Sequence, residues 1–345
     1  MTVKVSKPAI NVREELADLR KPTGIAGEAM LRAETPQEQF QLIGAGRRNL
    51  IINGDFSVSQ RGVFTTATTL PTTHTYHVDR WAGYRFSDDT GTFQHKLDQE
   101  LPDGSYTNTF RISSTSADLD TPFYQHIEDN KAVWGKEFTL SFWYKSTTEY
   151  MYNFWNGTTQ THIPLPNTND AWTKYIKTYK FPSNGTNLRV EFYSHTETFS
   201  SGTHIEFAQV QLEVGKIATP FEHRSYGEEL ALCQRYFEKL GSVGAGGNYA
   251  GIGTGFSSNG VTGSIVVTMR TPKRATPTFS HSGSFRIISG SGVSSFGIAS
   301  DHYIDKSGTG YINLNSFSPS ITTGFAVMVT ANNDANAYFA FDAEL

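Results

Sequence analysis

The stretches that decide the fold are Asn49–Phe56, NLIINGDF, and Ala208–Glu222, AQVQLEVGKIATPFE. The first predicts an apolar strand that enters an Asn-Gly turn. In the second, apolar and polar residues alternate from Ala208 to Val214, which predicts a half-buried antiparallel strand. All five tryptophans of the chain lie between the two stretches. We therefore expect the two stretches to bound one aromatic β-domain.

The composition excludes several classes of function. The 345 residues carry a net charge of −4 with no long run of either sign, which argues against binding to nucleic acid or to a membrane surface. Cys233 is the single cysteine, so no intrachain disulfide can form. No apolar run reaches the roughly 18 residues that span a bilayer, and the chain does not begin with a secretory signal. We expect a protein made in the cytoplasm, without membrane insertion.

Residues 1–46 differ in character from the rest of the chain. Asn11 and Thr35 are suited to cap two short helices, and Pro36 would occupy the first position of the second helix. Both helices have too few apolar residues to be stable alone. We expect this N-terminal segment to be ordered by docking onto another protein, and a partly disordered leader is the alternative.

Residues 47–224 predict a jelly-roll-like β-sandwich. Apolar residues alternate with polar ones in Glu137–Ser146 and again in Leu188–Phe192, as in strands that bury one face. Many short strands with no helical pattern between them favour a sandwich or jelly roll. Asp-Gly or Asn-Gly pairs that predict hairpin turns occur at 103–104, 156–157 and 184–185.

A linking helix is predicted after the sandwich. Ser225 and Glu228 form a capping box, and Gly241 would end the helix. Its apolar residues are spaced as one stripe on a helix face, and this stripe is the candidate oligomer interface, although packing onto the sandwich of the same chain fits the pattern equally well. The stripe consists of Tyr226, Leu230, Cys233, Phe237 and Leu240.

Residues 225–345 contain this helix and a second predicted β-sandwich, so the expected fold class is all-β with two antiparallel sandwiches. Strand-like stretches occur at 263–269, 285–288, 325–330 and 338–341, with connections rich in Gly, Ser and Asn. Residues 241–345 have only ten charged side chains, which indicates that other copies of the chain cover part of their surface.

Sequence signatures of catalysis are absent. The chain has no G-x-S-x-G elbow, no Walker loop, no H-E-x-x-H and no cysteine pair for zinc. Its adjacent acidic pairs, such as Asp88-Asp89, fall in expected loops or at a helix start, so a pair of catalytic carboxylates is not indicated. We predict no enzymatic activity, no metal and no cofactor.

The functional prediction is based on aromatic residues and amides instead. Sugars stack on aromatic rings while amides and carboxylates bond their hydroxyl groups. Trp143 and Trp155 alternate with core-type residues and share faces with polar ones, so they are better candidates for exposure than Phe138 or Phe142. For each ring, burial in the core is the alternative. The candidate carbohydrate-binding residues are Trp143, Tyr150, Trp155, Asn156 and Trp172.

Several stretches of this sequence resemble known protein families. NLIINGDF resembles the opening strand of jelly-roll carbohydrate-binding modules. VDRWAGY around Trp81, together with the stretch from Ala208 to Lys239, resembles a block in bacteriophage tail-fibre and related virion proteins. The segment Glu28–Gly46 resembles the leaders of fibres in podovirus-like phages.

The resemblance implies a homotrimeric tail fibre whose N-terminal segment attaches to other tail proteins of the virion. Such a protein would recognise host surface polysaccharide or lipopolysaccharide without cleaving it. A purely structural virion component without glycan binding is the main alternative, and a polysaccharide-degrading spike is a third. The resemblance leaves open which of the two domains contacts the host.

Overall fold

The computed structural model describes most of the chain beyond its N-terminal segment. The described residues are 48–86, 89–116, 119–128, 134–155, 160–181, 185, 187–194, 199–241 and 248–344. The expectations for residues 1–46 and for the Asn-Gly turn at 156–157 lie outside the described residues.

Two six-stranded antiparallel sheets form a jelly-roll sandwich, as predicted. Strands are numbered in chain order. Sheet 1 consists, in spatial order, of β1 (Thr68–Thr69), β4 (Gly91–Glu100), β5 (Tyr106–Ser114), β12 (His204–Val214), β7 (Glu137–Ser146) and β10 (Thr173–Lys180). Sheet 2 consists of β2 (Thr75–Val78), β3 (Trp81–Gly83), β6 (Thr121–Ile127), β11 (Leu188–Ser194), β8 (Tyr150–Trp155) and β9 (Gln160–Leu165).

Aromatic rings fill the space between the two sheets. Phe110 of sheet 1 and Phe123 of sheet 2 stack with their centroids 4.3 Å apart, and Trp81 stacks on Phe123 at 5.0 Å. The predicted alternation on β7 is confirmed, since Phe138 and Phe142 are buried in this core. The inward side chains of both sheets therefore form the core that holds the sandwich together.

The two stretches that bound the domain are in direct contact. The Leu50 N–H donates to the Leu212 carbonyl at 2.9 Å, so the ends of the domain are joined. The expected opening strand is wrong, however, because residues 51–55 form bends and a turn. The cause is Asn53, which has φ 58° and a buried amide that donates to the carbonyls of Val58 and Asp79 at 2.8 and 2.9 Å.

Strand β12 differs from the half-buried strand that its alternation predicts. A bulge between Ala208 and Gln211 shifts the register, so Ala208 and Val210 do not share a face. The polar face is buried as well, because the Gln211 amide donates to Glu213 at 2.9 Å and the Thr219 N–H donates to Glu213 at 3.1 Å. The segment that follows β12 thus folds back over it.

The linking helix, α1, is shorter than expected. It spans Tyr226–Gln234, and the side chain of Ser225 caps it as predicted. The prediction that the helix continues to residue 241 is wrong, because the chain forms β13 (Phe237–Gly241). Pairing with β21 (Tyr338–Asp342) supplies the backbone hydrogen bonds that further helical turns would have made. Among the described residues, no helix has the length and hydropathy to cross a membrane.

The five candidate interface residues therefore do not form one helical stripe. Phe237 and Leu240 lie on β13, and their exposed fractions are 6% and 7%. Cys233 is 1% exposed, and burial raises the pKa of its thiol. Leu230 is partly buried and Tyr226 is exposed. Three of the five side chains are thus already covered within this chain.

The C-terminal region is also all-β, but it forms a barrel where a second sandwich was expected. The strand-like stretches predicted from the sequence form strands here. Six strands close into the barrel in the order β14-β15-β19-β18-β17-β20, which removes exposed sheet edges. Strand β21 joins β13 to β16 in a three-stranded sheet. The remaining bounds are β14 (Gly251–Ser257), β15 (Gly263–Thr268), β16 (Thr278–Ser282), β17 (Phe285–Ser289), β18 (Gly292–Ile304), β19 (Thr309–Ser318) and β20 (Ala326–Ala331).

Polar contacts join the jelly roll to this region. Arg61 pairs with Asp79 of the jelly roll at 3.0 Å and with Asp342 of β21 at 3.2 Å. The Tyr236 hydroxyl donates to Glu128 at 2.5 Å. The last strand of the chain and the segment after α1 are therefore both fixed against the jelly roll.

Candidate functional site

The outer face of sheet 2 brings polar and aromatic side chains of three strands together. Strand β11 lies between β6 and β8, and Glu191 is opposite Asn153 on one side and Tyr124 on the other. Two residues earlier on β11, Arg189 is opposite Trp155. We call this surface the Glu191 face, which consists of Tyr124, Asn153, Trp155, Arg189, Glu191 and Tyr193.

Strand alternation explains which rings reach this face. On β8, Tyr152 and Phe154 are buried in the core, whereas Trp155 points the other way and is partly exposed. Strand β11 repeats the pattern, with its apolar residues in the core and its charged residues outside. The same alternation that builds the core therefore builds the candidate site.

An ion pair lies at the centre of the Glu191 face. The Arg189 guanidinium pairs with the Glu191 carboxylate, and only 2% of the Glu191 side chain is exposed. Burial raises the pKa of Glu191, and the positive charge of Arg189 partly offsets that rise. The amide of Asn153 lies beside the same carboxylate and is fully buried. The side-chain oxygen of Asn153 accepts no hydrogen bond from the described residues.

Aromatic rings surround the ion pair. The Arg189 guanidinium lies 4.4 Å from the ring centroid of Tyr124 and 6.0 Å from that of Trp155, within the range of cation–π attraction. Burial raises the pKa of Tyr124 to about 12, so its hydroxyl stays protonated at neutral pH. That hydroxyl is 2.5 Å from Nδ1 of His74, whose pKa is lowered by burial and by Arg189.

A second carboxylate adjoins the face. The Tyr193 hydroxyl donates to Asp120 at 3.2 Å, and burial together with Asp120 raises the pKa of Tyr193. The charge of Asp120 also raises the pKa of Glu191. The site thus combines one guanidinium and two carboxylates with several ring faces. Its negative balance disfavours acidic ligands.

This arrangement suits the binding of a polar ligand that has apolar faces. Trp155, Arg189 and Tyr193 are the partly exposed members of the face, so their rings and guanidinium offer stacking surfaces and donors to a ligand. Tyr124, Asn153 and Glu191 are buried beneath them and hold Arg189 in place. Across the described part of the chain, no cluster of three or more His, Cys, Asp or Glu residues could hold a metal ion.

The structure separates the residues predicted to bind carbohydrate. Trp155 belongs to the Glu191 face, whereas Trp143 and Trp172 lie on sheet 1 or at its edge, on the opposite side of the sandwich. Tyr150 is 2% exposed and part of the core, so its prediction as a surface contact is wrong, because it alternates inward with the core residues of β8. Asn156 lies outside the described residues.

The charged centre of the site was not among the residues predicted from the sequence. Arg189 and Glu191 lie in a strand whose apolar alternation was recognised, and the same alternation places them together on the opposite face. The placement of Arg189 and Glu191 on one face could therefore be predicted from the sequence of this strand alone. The pairing of Glu191 with Tyr124 and Asn153, however, depends on strand register across 67 residues of chain, from 124 to 191, and could not be obtained from local pattern.

Comparisons with known proteins give similarities of fold. No family model matches the chain, and no curated protein matches it. Among solved structures it is similar to the enzymatically active domain of bacteriophage CBA120 tailspike protein 4, with a TM-score of 0.32 and 17% identity over 48% of this chain. The match covers 21% of that tailspike structure.

Two further similarities cover nearly the whole of the matched structure. The CBM22-1 xylan-binding domain from Paenibacillus barcinonensis matches with a TM-score of 0.29 and 10% identity, over 46% of this chain and 99% of that domain. A cyclase from Fischerella sp. TAU matches with a TM-score of 0.36 and 12% identity, over 50% of this chain and 100% of the cyclase. At these identities and scores, the arguments about function depend on the site itself.

Proposed function

We propose that this is a carbohydrate-binding jelly-roll protein that binds glycans through the Glu191 face without cleaving them. The observation that carries the proposal is the Arg189–Glu191 pair, held between the rings of Tyr124 and Trp155. Buried polar groups that face a ligand give specificity, because a ligand that cannot pair with them leaves them unsatisfied.

In particular, we propose a tail-fibre-like appendage of a bacteriophage virion, attached by its N-terminal segment and directed at host surface polysaccharide or lipopolysaccharide. The support is the resemblance of the stretches around Trp81 and from Ala208 to Lys239 to phage virion proteins. Multiple copies on a virion would raise the avidity of a single weak sugar site.

A homotrimer is part of this proposal, and an exposed apolar row on the barrel supports it. Val266 of β15 is opposite Tyr311 of β19, which is opposite Tyr303 of β18. The exposed fractions of these three side chains are 50%, 46% and 62%, and a continuous apolar surface favours burial against other copies. Light scattering should give a mass near three times 38.2 kDa, and a monomer at micromolar concentration would contradict this part.

The glycan proposal is tested on an array of bacterial surface polysaccharides with the purified full chain. We expect at least one bound glycan, with affinity reduced about tenfold or more, or by more than about 1.4 kcal/mol, by Trp155→Ala and by Glu191→Gln. Trp155→Ala removes a stacking surface, and Glu191→Gln removes the buried partner that positions Arg189. Tyr249→Ala is the control, since Tyr249 is an exposed ring that also contacts an arginine, Arg286 at 4.4 Å, and it lies outside both sheets of the jelly roll.

The outcomes separate the alternatives. Absence of binding to every glycan, together with no inhibition of infection, would favour a purely structural virion component. Release of reducing sugar from a bound polysaccharide would favour a degrading spike, in which case Asp120 and Glu191 are the carboxylates to replace first. If Trp155→Ala and Glu191→Gln both leave glycan binding unchanged, the glycan site does not lie on the Glu191 face.

A further inference from the structure

The outer face of sheet 1 holds a second cluster of charged and aromatic residues, which the proposed function does not use. Glu206 of β12 is opposite Arg111 of β5 and Lys145 of β7. Farther along β7, Trp143 is opposite Lys174 of β10. We call this surface the Lys145 face, which consists of Lys96, Arg111, Trp143, Lys145, Trp172, Lys174 and Glu206.

Three cations of this face share one carboxylate. Glu206 is fully buried and pairs with Arg111 at 2.8 Å, Lys96 at 3.3 Å and Lys145 at 3.7 Å. It also accepts a hydrogen bond from Thr109 at 2.5 Å. One guanidinium and two ammonium groups carry about eleven N–H donors, whereas a carboxylate has about four lone-pair sites. Most of these donors therefore remain available to an outside acceptor.

The cations are accessible from solvent. The exposed fractions of the Lys96, Arg111 and Lys145 side chains are 23%, 21% and 15%. The nearby carboxylate of Asp170 pairs with His204 at 2.8 Å, so three cations face two carboxylates in this cluster. Because the whole chain carries a net charge of −4, this positive cluster is a local feature and not a consequence of overall composition.

Indole rings lie beside these cations. The Lys145 ammonium is 4.9 Å from the ring centroid of Trp172, and the Lys174 ammonium is 5.7 Å from that of Trp143. Cation–π contact holds each ammonium over its ring, while the ring edges remain partly exposed. A sugar that carries a negative group could stack on an indole and pair with the adjacent cation.

A cleft extends the face beyond Lys174. It has a volume of about 450 Å³, and Lys174, Ile176, Gln209 and Phe221 are among its lining residues. That volume falls within the range of ligand sites. Asp103 is the acidic residue of the lining, and it accepts a hydrogen bond from the Ser105 hydroxyl at 2.7 Å. From Trp172 to Ile176 the strand extends about 13 Å at about 3.3 Å per residue, which is long enough for a short oligosaccharide.

We propose that the Lys145 face is a second glycan site, and that it binds acidic glycans through carboxylate, sulfate or phosphate groups. The proposal extends the proposed glycan-binding function but uses none of the residues of the Glu191 face. The two faces would then bind ligands of different charge. Cations outnumber carboxylates around Glu206 and attract a negative sugar, whereas carboxylates outnumber cations around Arg189 and repel it.

The test uses polymers with one backbone and different charge. The full chain is passed over immobilised dextran, carboxymethyl-dextran and dextran sulfate in 50 mM salt. We expect binding to the two acidic polymers, none to dextran, and weakening as the salt concentration rises. The ratio of the affinities for the two acidic polymers shows whether carboxylate or sulfate is preferred.

Matched variants locate the binding. The double variant Lys145→Met/Lys174→Met should weaken binding to the acidic polymers about tenfold or more. The double variant Lys177→Met/Lys216→Met changes the net charge by the same amount outside the face and should change binding less than about twofold. Trp172→Ala should weaken binding while leaving its salt dependence intact, because it removes stacking and no charge. Far-ultraviolet circular dichroism confirms that each variant is folded.

Two results would overturn the proposal: no binding of the unmodified chain to either acidic polymer, or equal loss of binding in both double variants. Glu191→Gln and Trp155→Ala serve as the independent control. They should leave binding to acidic dextrans unchanged even if they abolish binding on the polysaccharide array. Failure of this site and failure of the Glu191 face are thereby measured separately.

Discussion

On the outer face of sheet 2 one guanidinium accompanies two carboxylates, whereas on the outer face of sheet 1 three cations surround one carboxylate. Both clusters of charged side chains lie on strands of the same sandwich, and the two sheets share one core. The difference shows that a jelly roll fixes where outward side chains lie but leaves their chemistry free, because sheet packing uses the inward residues alone.

The largest expected difference between the faces comes from removing one cation. Arg189→Met leaves the buried Glu191 without its ion-pair partner and should reduce the free energy of unfolding by about 3 kcal/mol. Lys145→Met leaves Glu206 with two other cations and should cost less than about 1 kcal/mol. Urea unfolding at pH 7 measures both. Equal losses would mean that Glu206 depends on Lys145 as strongly as Glu191 depends on Arg189.

The double variant Arg189→Met/Glu191→Met sharpens this test. It removes both charges and keeps apolar volume, so it should recover most of the stability that Arg189→Met loses. If the double variant is no more stable than the single one, the loss comes from the cation–π packing of Arg189 on Tyr124 and not from an unpaired carboxylate.

The next largest effect concerns the two glutamates and pH. Burial alone would raise the pKa of Glu206, but the Thr109 hydrogen bond and the three cations hold it below its ordinary value. Its stabilising contribution is therefore present above about pH 4.5 and lost as the pH falls through its lowered pKa. Glu191 has the opposite shift, since burial raises its pKa, so protonation of Glu191 on acidification favours the folded state.

Replacing each glutamate by glutamine tests the opposite pKa shifts of Glu206 and Glu191. At pH 7, Glu206→Gln should reduce the free energy of unfolding by about 2 kcal/mol, because it removes charge-assisted hydrogen bonds. Glu191→Gln should cost less than about 1 kcal/mol, since burial raises the pKa of Glu191 and so disfavours the charge that the substitution removes. Urea unfolding at pH 7 and pH 4 should show that the difference in free energy of unfolding between the two variants is smaller at pH 4. A difference that does not change with pH would contradict the opposite pKa shifts of Glu206 and Glu191.

The smallest expected effects on stability come from the indoles. Trp155→Ala and Trp172→Ala each remove a partly exposed ring that contacts a cation, and each should cost less than about 1 kcal/mol. Thermal melting measures this loss of stability. The two variants should differ in ligand binding, because Trp155→Ala should weaken binding on the polysaccharide array and Trp172→Ala should weaken binding to the acidic dextrans. Loss of both kinds of binding in either variant would mean that the two faces are not independent.

Much of the architecture was predictable from local pattern. The alternation on β7 placed Phe138 and Phe142 in the core, and the same pattern on β11 gave a strand of sheet 2. The capping box at Ser225 gave the start of α1. These features follow from side-chain periods of 2.0 and 3.6 residues and from capping chemistry, which act over a few residues.

Features that depend on distant partners were not predictable in this way. The helical spacing after Tyr226 was interrupted at β13 because β21, about a hundred residues later, pairs with it. The first apolar stretch became a turn because the buried Asn53 amide binds carbonyls at Val58 and Asp79. In both cases a long-range contact outweighs a local propensity.

The sequence by itself therefore determined the all-β class, the inward-facing half of each well-patterned strand and the aromatic character of the jelly roll. Only the tertiary structure decided that Trp155 joins Arg189 and Glu191 on one face while Trp143 and Trp172 accompany Lys145 on the other. The physical reason is that alternation fixes the side of a strand on which a residue lies, whereas register and sheet order fix its neighbours across strands.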